Sequence, residues 1–159
     1  MMTATINWNR IKTYIVAILI PVALGAATGL IISGSMDYEA LKKPALAPPP
    51  ILFPIVWSIL YILMGVSYGI LKDKGLADAP AARIYYAQLI VNLLWPIIFF
   101  VLKWRLVAFI WIVALAVLVI IMAVRFYKRD TAAGLLQLPY VVWTLFASYL
   151  NLFIFILNG

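Results

Sequence analysis

Five stretches of 19 to 23 residues carry no charged side chain: 14–33, 51–71, 84–102, 106–124 and 135–157. At a rise of about 1.5 Å per residue, each is long enough to cross a hydrocarbon core of about 30 Å as a helix. The pattern predicts an all-α fold, an integral membrane bundle of five transmembrane helices in a single domain over 1–159. Residues 37–50 carry charges, four prolines and no helical period. Proline donates no backbone hydrogen bond and restrains its predecessor, so this segment reads as an extended, stiff loop at the membrane surface. Lys72 to Arg83 and Arg125 to Asp130 read as polar loops. The short hinge Lys103-Trp104-Arg105 makes spans three and four an antiparallel pair.

Inside the spans the polar and aromatic residues keep a helical period. Gln88, Asn92, Trp95 and Phe99 fall at i, i+4, i+7 and i+11, one narrow stripe of span three. An unpaired amide facing hydrocarbon costs several kcal/mol, so the stripe turns inward toward other helices. Two amides and two large rings then form either interhelical glue with filler or the wall of a pocket for a flat, mostly apolar molecule. Phe53, Trp57, Tyr61, Met64 and Tyr68 share one side of span two. Tyr140, Trp143, Ala147 and Asn151 share a face of span five, where Ala147 leaves a gap between larger groups. In span one, small residues or proline recur at Ala17, Pro21, Gly25, Gly29 and Ser33, a face expected to pack against a partner helix. Span four has no polar side chain except the Trp111 indole and reads as scaffold, while Trp8 and Trp104 read as interface or packing residues.

Composition sharpens this picture. Hydrophobic residues make up 67% of the 159 and charged ones 11%, with a mean hydropathy of +1.12, against roughly 25% charged residues in soluble domains. Arg10 and Lys12 before span one raise a signal peptide as the alternative, but its apolar part exceeds the usual h-region and favours a retained span. There is no cysteine and no histidine, so disulfides, thiolate nucleophiles, the usual zinc and haem ligands and the commonest general base are all absent. No metal site and no cofactor is expected. The spans contain no Asp, Glu, Lys or Arg, which argues against a proton-coupled transporter or an exporter with a buried carboxylate. The net charge of +7 reflects basic flanks facing anionic lipid, not nucleic-acid binding. Eight basic residues lie on the N-terminal side of the membrane and four on the other; the positive-inside rule puts the N-terminus in the cytoplasm and the proline loop and C-terminus outside.

The motifs resemble one family. Tyr38-xx-Leu-x-Lys-Pro44 with Pro48-Pro49, then Phe53-xx-Val-Trp57-xx-Leu-Tyr61-xx-Met-Gly65, look like the first loop and second helix of the TspO/MBR family, the bacterial tryptophan-rich sensory proteins and mitochondrial translocator proteins once called peripheral benzodiazepine receptors. Gln88-Leu-xx-Asn92-xx-Trp95-Pro-x-Ile-Phe-Phe100 is similar to the family's third helix and Pro139-Tyr-xx-Trp143-xx-Phe-Ala147-xx-Leu-Asn151 to its fifth. The match covers about Tyr38 to Asn158.

The resemblance implies a five-helix bundle, often homodimeric, that binds porphyrins such as protoporphyrin as sensor or translocator, and in some members sterols and isoquinoline-carboxamide drugs. It places the expected membrane as a bacterial plasma membrane. Carried over residue by residue, it puts Trp57 and Trp143 against the ligand from helices two and five, Asn92 and Trp95 from helix three, and Ala147 and Leu150 from helix five. Together with the stripes this gives a candidate ligand site of Trp57, Tyr61, Gln88, Asn92, Trp95, Tyr140, Trp143, Ala147 and Leu150. The lid is the proline loop, with Lys43, Pro44, Leu46, Pro48 and Pro49. The cavity is expected among helices one, two, three and five, opening toward that loop, where Lys42 and Lys43 meet acidic groups such as propionates. Any tetrapyrrole would be held by shape, stacking and hydrogen bonds. Some family members are reported to degrade protoporphyrin in light, with tryptophans at positions like Trp57 and Trp143 implicated. The alternative function is thus a light- and oxygen-dependent porphyrin-degrading enzyme, which requires no acid/base residue. Two departures stand out: Leu46 replaces a frequent lid tryptophan, and Leu150 to Gly159 lacks the Tyr and Arg of the cholesterol-recognition segment.

Overall fold

The structure, a computed structural model, describes residues 7–159; residues 1–6 of the expected domain lie outside the described residues. Five helical segments are long and apolar enough to cross a membrane: Trp8–Ser35, Leu52–Asp73, Ala79–Val101, Arg105–Arg129 and Thr131–Asn158. Among the described residues there is no strand. The five-helix all-α membrane bundle read from the charge-free stretches is the observed fold.

Local chemistry sets the boundaries. Helix α1 (Trp8–Ile32) starts where Asn7 Oδ1 accepts the Arg10 amide, and a 3₁₀ turn over Ser33–Ser35 closes it. The proline loop follows, where an extended segment was expected; it takes a second 3₁₀ turn at Tyr38–Ala40 and hydrogen-bonded turns from Pro44 to Ala47 and from Pro49 to Leu52. Helix α2 (Leu52–Asp73) keeps Pro54 in its first turn, where the missing N–H removes nothing. Helix α3 (Ala79–Pro96) begins earlier than the loop reading of Lys72 to Arg83 allowed. The Asp78 carboxylate accepts the Ala81 amide at 2.9 Å, and Pro80 suits the first turn. At the other end Pro96 has no N–H for the Asn92 carbonyl, and a π-helical turn over Ile97–Val101 completes the span.

Helix α4 (Arg105–Arg129) also outruns its expected span, taking in the residues read as the loop Arg125 to Asp130. Lys128 and Arg129 sit in its last turn, where positive charge meets the negative end of the helix dipole. Span five is interrupted where an unbroken helix was expected. A five-residue helix α5 (Thr131–Leu135), capped by Asp130, precedes α6 (Leu138–Asn158). The break has a cause in Pro139, which cannot donate to the carbonyl four residues back.

Packing explains the scaffold role of α4. Ala108, Ile112, Leu115, Val119, Met122 and Phe126 are fully buried, at the alternating steps of four and three that make a coiled-coil seam. The Trp111 indole donates to the Val91 carbonyl of α3 at 2.8 Å. Helix α1 rests on α2 through glycines. A Cβ at Gly65 would lie 2.5 Å from the Ile18 Cα, and one at Gly25 would meet the Tyr61 ring at 2.3 Å. The small-residue face of α1 does not pack along its whole length, however. At Gly29 an added Cβ meets nothing within 4 Å. Toward the proline loop α1 and α2 part, and a space opens between them.

Candidate functional site: a tryptophan-walled cavity

Four of the candidate residues are linked by hydrogen bonds at mid-bundle. The Tyr61 hydroxyl donates to Asn92 Oδ1 at 2.7 Å, Asn92 Nδ2 donates to the Tyr140 hydroxyl oxygen at 2.6 Å, and that hydroxyl donates to Gln88 Oε1 at 2.7 Å. Gln88 Nε2 ends the chain on the Met64 sulfur at 3.2 Å. The amides of α3 are thus satisfied by tyrosines of α2 and α6, as expected for polar groups in lipid. Three residues beyond Asn92 toward the loop, Trp95 is fixed by donating its indole N–H to Asn151 Oδ1 at 3.1 Å, while Asn151 Nδ2 donates to the Ala147 carbonyl.

Above this layer the aromatic side chains border two adjacent spaces. A narrow central cleft of about 20 Å³ is lined by Trp57, Trp95, Trp143, Ala147 and Leu150, with Tyr38 and Phe53 toward the loop. That volume holds about one water molecule and no larger ligand. The second space, about 350 Å³, lies between α1, α2 and the end of α3 and is walled by Gly25, Thr28, Gly29, Trp57, Tyr61 and Trp95 among others. Tyr38, Phe53, Trp57, Trp95 and Phe100 border both, so an aromatic partition one side chain thick separates them. Trp57 stands edge-on to Trp143, ring centroids 6.4 Å apart. The Trp143 indole N–H is buried and has no protein partner.

The candidate residues thus divide. Trp57, Trp95, Trp143, Ala147 and Leu150 meet at the cleft, and Tyr61 reaches the larger cavity. Gln88, Asn92 and Tyr140 line neither space and brace the floor beneath them. The larger cavity is walled by helices one, two and three; helix five borders only the cleft, so the expected four-helix enclosure is met in part. Sequence reasoning expected helix one at the cavity but left Tyr38, Phe100 and the individual wall residues of α1 out of the candidate site. The signal for the last was the small-residue face, whose residues line a void as readily as they admit a neighbouring backbone.

The proline loop, the expected lid, is tied down at both ends. Tyr38 donates its hydroxyl to the Pro48 carbonyl at 3.0 Å, and burial pushes the ionisation of that hydroxyl up, keeping it a donor. Asn158 exchanges two hydrogen bonds with the Lys42 backbone, and Tyr149 donates to the Ala45 carbonyl. Arg105 grips Asp37 at 2.6 Å and lies over the Phe99 ring. Lys43 donates to the Glu39 carbonyl and sits 5.0 Å over the Tyr38 ring; neither it nor Lys42 lines a cavity. Leu46 is exposed in a left-handed conformation with φ of 68°. Pro44 and Pro49 accept turn hydrogen bonds from Ala47 and Leu52.

Fold and site define a class: a five-helix integral membrane protein with a tryptophan-walled hydrophobic cavity beneath a proline-rich loop. The chain belongs to the TspO/MBR family, whose model matches residues 17–157. It is 37% identical over 153 residues to the tryptophan-rich protein TspO of Archaeoglobus fulgidus, covering 94% of this chain and 99% of that one. It is 39% identical over 140 residues to protein CrtK of Rhodobacter capsulatus, covering 86% and 87%. The human translocator protein is 33% identical over 121 residues, covering 72% of this chain and 70% of its own.

Proposed function

We propose that this protein binds porphyrins and related flat hydrophobic molecules in the tryptophan-walled cavity, acting as a sensor or translocator. The observation that carries the reading is the partition. Trp57 and Trp95 border both an apolar space of about 350 Å³ and the Trp143 cleft. A flat ligand that shifts the Trp57 ring gains both volumes, and the unpartnered Trp143 N–H offers it a hydrogen bond. Aromatic walls with few convergent polar groups are the usual make-up of sites for such ligands. Titrating protoporphyrin into the purified protein is expected to quench tryptophan fluorescence with micromolar affinity or better, about −8 kcal/mol. Trp57→Ala plus Trp143→Ala is expected to weaken saturation about tenfold or more, about 1.4 kcal/mol. Unchanged saturation in a variant that keeps its helical circular dichroism would refute the site.

A second reading is favoured by the contact between Trp57 and Trp143. On this reading a macrocycle lying against both indoles is degraded in light and oxygen. Illumination then bleaches the bound protoporphyrin absorbance, and Trp143→Phe stops the bleaching while binding persists. The same proposal includes self-association, testable by native mass spectrometry of the detergent-solubilised protein, and residence in a bacterial plasma membrane with the N-terminus in the cytoplasm.

A further inference from the structure

We infer that the space between α1 and α2 is a lipid site, taking one acyl tail of a phospholipid from the leaflet on the proline-loop side. Three observations carry it. First, the mouth faces the bilayer: Ala26, Gly29, Met36, Pro54 and Ser58 on its rim are exposed, and the neighbouring Leu30, Ile55 and Ile59 are exposed apolar side chains on the same surface. Second, the walls are mostly apolar. The four hydroxyls in them are satisfied internally, Thr28 by the Leu24 carbonyl, Tyr38 by the Pro48 carbonyl, Ser58 by the Pro54 carbonyl and Tyr61 by Asn92. A polar guest would lose its own solvation there without replacement.

Third, the depth matches. From Gly25 to Ile32 the cavity wall follows about 10 Å of helix axis, and Met36 carries it on to the surface. One leaflet contributes about 15 Å of hydrocarbon. A tail entering sideways can therefore lie along α1 with its headgroup at the level of the proline loop. An apolar void of about 350 Å³ left empty forfeits the dispersion contacts of its whole lining, and acyl chains are the apolar groups present at its mouth. A flat ligand using this cavity must displace the tail, a consequence that rests on the binding reading above; the tail site itself does not.

The test uses the full chain reconstituted in phosphatidylcholine vesicles containing a phosphatidylcholine with a photoactivatable diazirine midway along one tail. After irradiation, peptide mass spectrometry is expected to find adducts on Thr28, Trp57 or Tyr61 behind the mouth, as well as on the bilayer-facing Leu30 and Ile59. Gly29→Phe, at a position where a side chain meets no neighbour, fills the space and is expected to remove the cavity adducts while keeping those on Val142 and Leu145 of α6. Ala26→Leu serves as a second filling variant if the first does not fold. Adducts confined to bilayer-facing residues overturn the proposal, as does loss of adducts on Leu30 and Ile59 together with the cavity, which marks a second copy of the chain over the mouth. Adding saturating protoporphyrin separates the two claims. Cavity adducts that disappear support both, whereas adducts that persist uphold the tail site and overturn instead the placing of the flat ligand in this cavity.

Discussion

Tyr140 accepts from Asn92 and donates to Gln88, with hydrogen bonds of 2.6 and 2.7 Å, and its side chain is almost wholly buried. Removing its hydroxyl orphans a donor and an acceptor in a region without water. Each such loss in a protein interior costs about 1–3 kcal/mol, moderated in membranes, where measured interhelical bonds average about 0.6 kcal/mol. Tyr140→Phe is expected to lower thermal stability in detergent by about 1–3 kcal/mol, read by a thermal melt; a neutral or stabilising result would refute the network as drawn. The stripe Gln88, Asn92, Trp95 and Phe99 was legible in the sequence because its period alone decides which face of a helix turns inward. The partners were not. That Asn92 meets Tyr61 and Tyr140 while Trp95 meets Asn151 depends on how far apart α2, α3 and α6 stand, which no single helix encodes. For the same reason the pattern could not separate Gln88, Asn92 and Tyr140, which brace the floor, from Trp57 and Trp143, which border space.

At the scale of the helices, two glycines of similar appearance have opposite roles. Gly65 lies under the backbone of α1, where a methyl group must push Ile18 and Ala17 away, whereas Gly29 faces a void. Gly65→Ala is expected to lower the melting temperature, as overpacking typically costs about 1–3 kcal/mol, while Gly29→Ala leaves it unchanged or slightly raised; equal effects would contradict the divergence of α1 from α2. Helix ends were harder to read than helix faces, because charge was taken to mark loop. Arg83 and Arg129 instead sit inside helices. Arg129 bonds both oxygens of Asp78, and Lys74 bonds Asp130, clasping α3 to α4 and α2 to the start of α5. Hydrogen bonds from Arg129 and the Ala81 amide hold the Asp78 carboxyl below its ordinary range, and those from Lys74 and the Ala133 amide do the same for Asp130. Both pKa values are depressed on folding, so the stabilisation is present above the unfolded value of about 3.9 and lost as pH falls through the folded values. The melting temperature should hold from neutral pH to about 5 and drop below about 4, and Asp78→Asn plus Asp130→Asn should flatten that drop.

For the molecule as a whole, the two ends of the bundle differ in charge and in how they are closed. The end bearing the N-terminus carries eight of the twelve basic side chains and closes with ion pairs between neighbouring helices, Arg10 with Asp73, Lys74 with Asp130 and Arg129 with Asp78. The other end closes with a loop held mainly by hydrogen bonds from Tyr38, Tyr149 and Asn158, its ion pairs gathered on the single carboxylate of Asp37, which meets Arg105 and Lys103. Lysine and arginine in short loops set orientation, and their excess at the N-terminal end predicts that the proline loop faces outward, an orientation that would put the cavity in the outer leaflet. Cysteine placed at the exposed Ala40 of the loop should react with a membrane-impermeant maleimide added to intact cells, and cysteine at the exposed Ala79, where α3 starts, should react only after permeabilisation. Neither substitution removes a buried contact, and the chain has no cysteine of its own, so the labelling reads orientation directly. The reverse pattern would turn the bundle over, and with it the leaflet from which the acyl tail and any flat ligand are drawn.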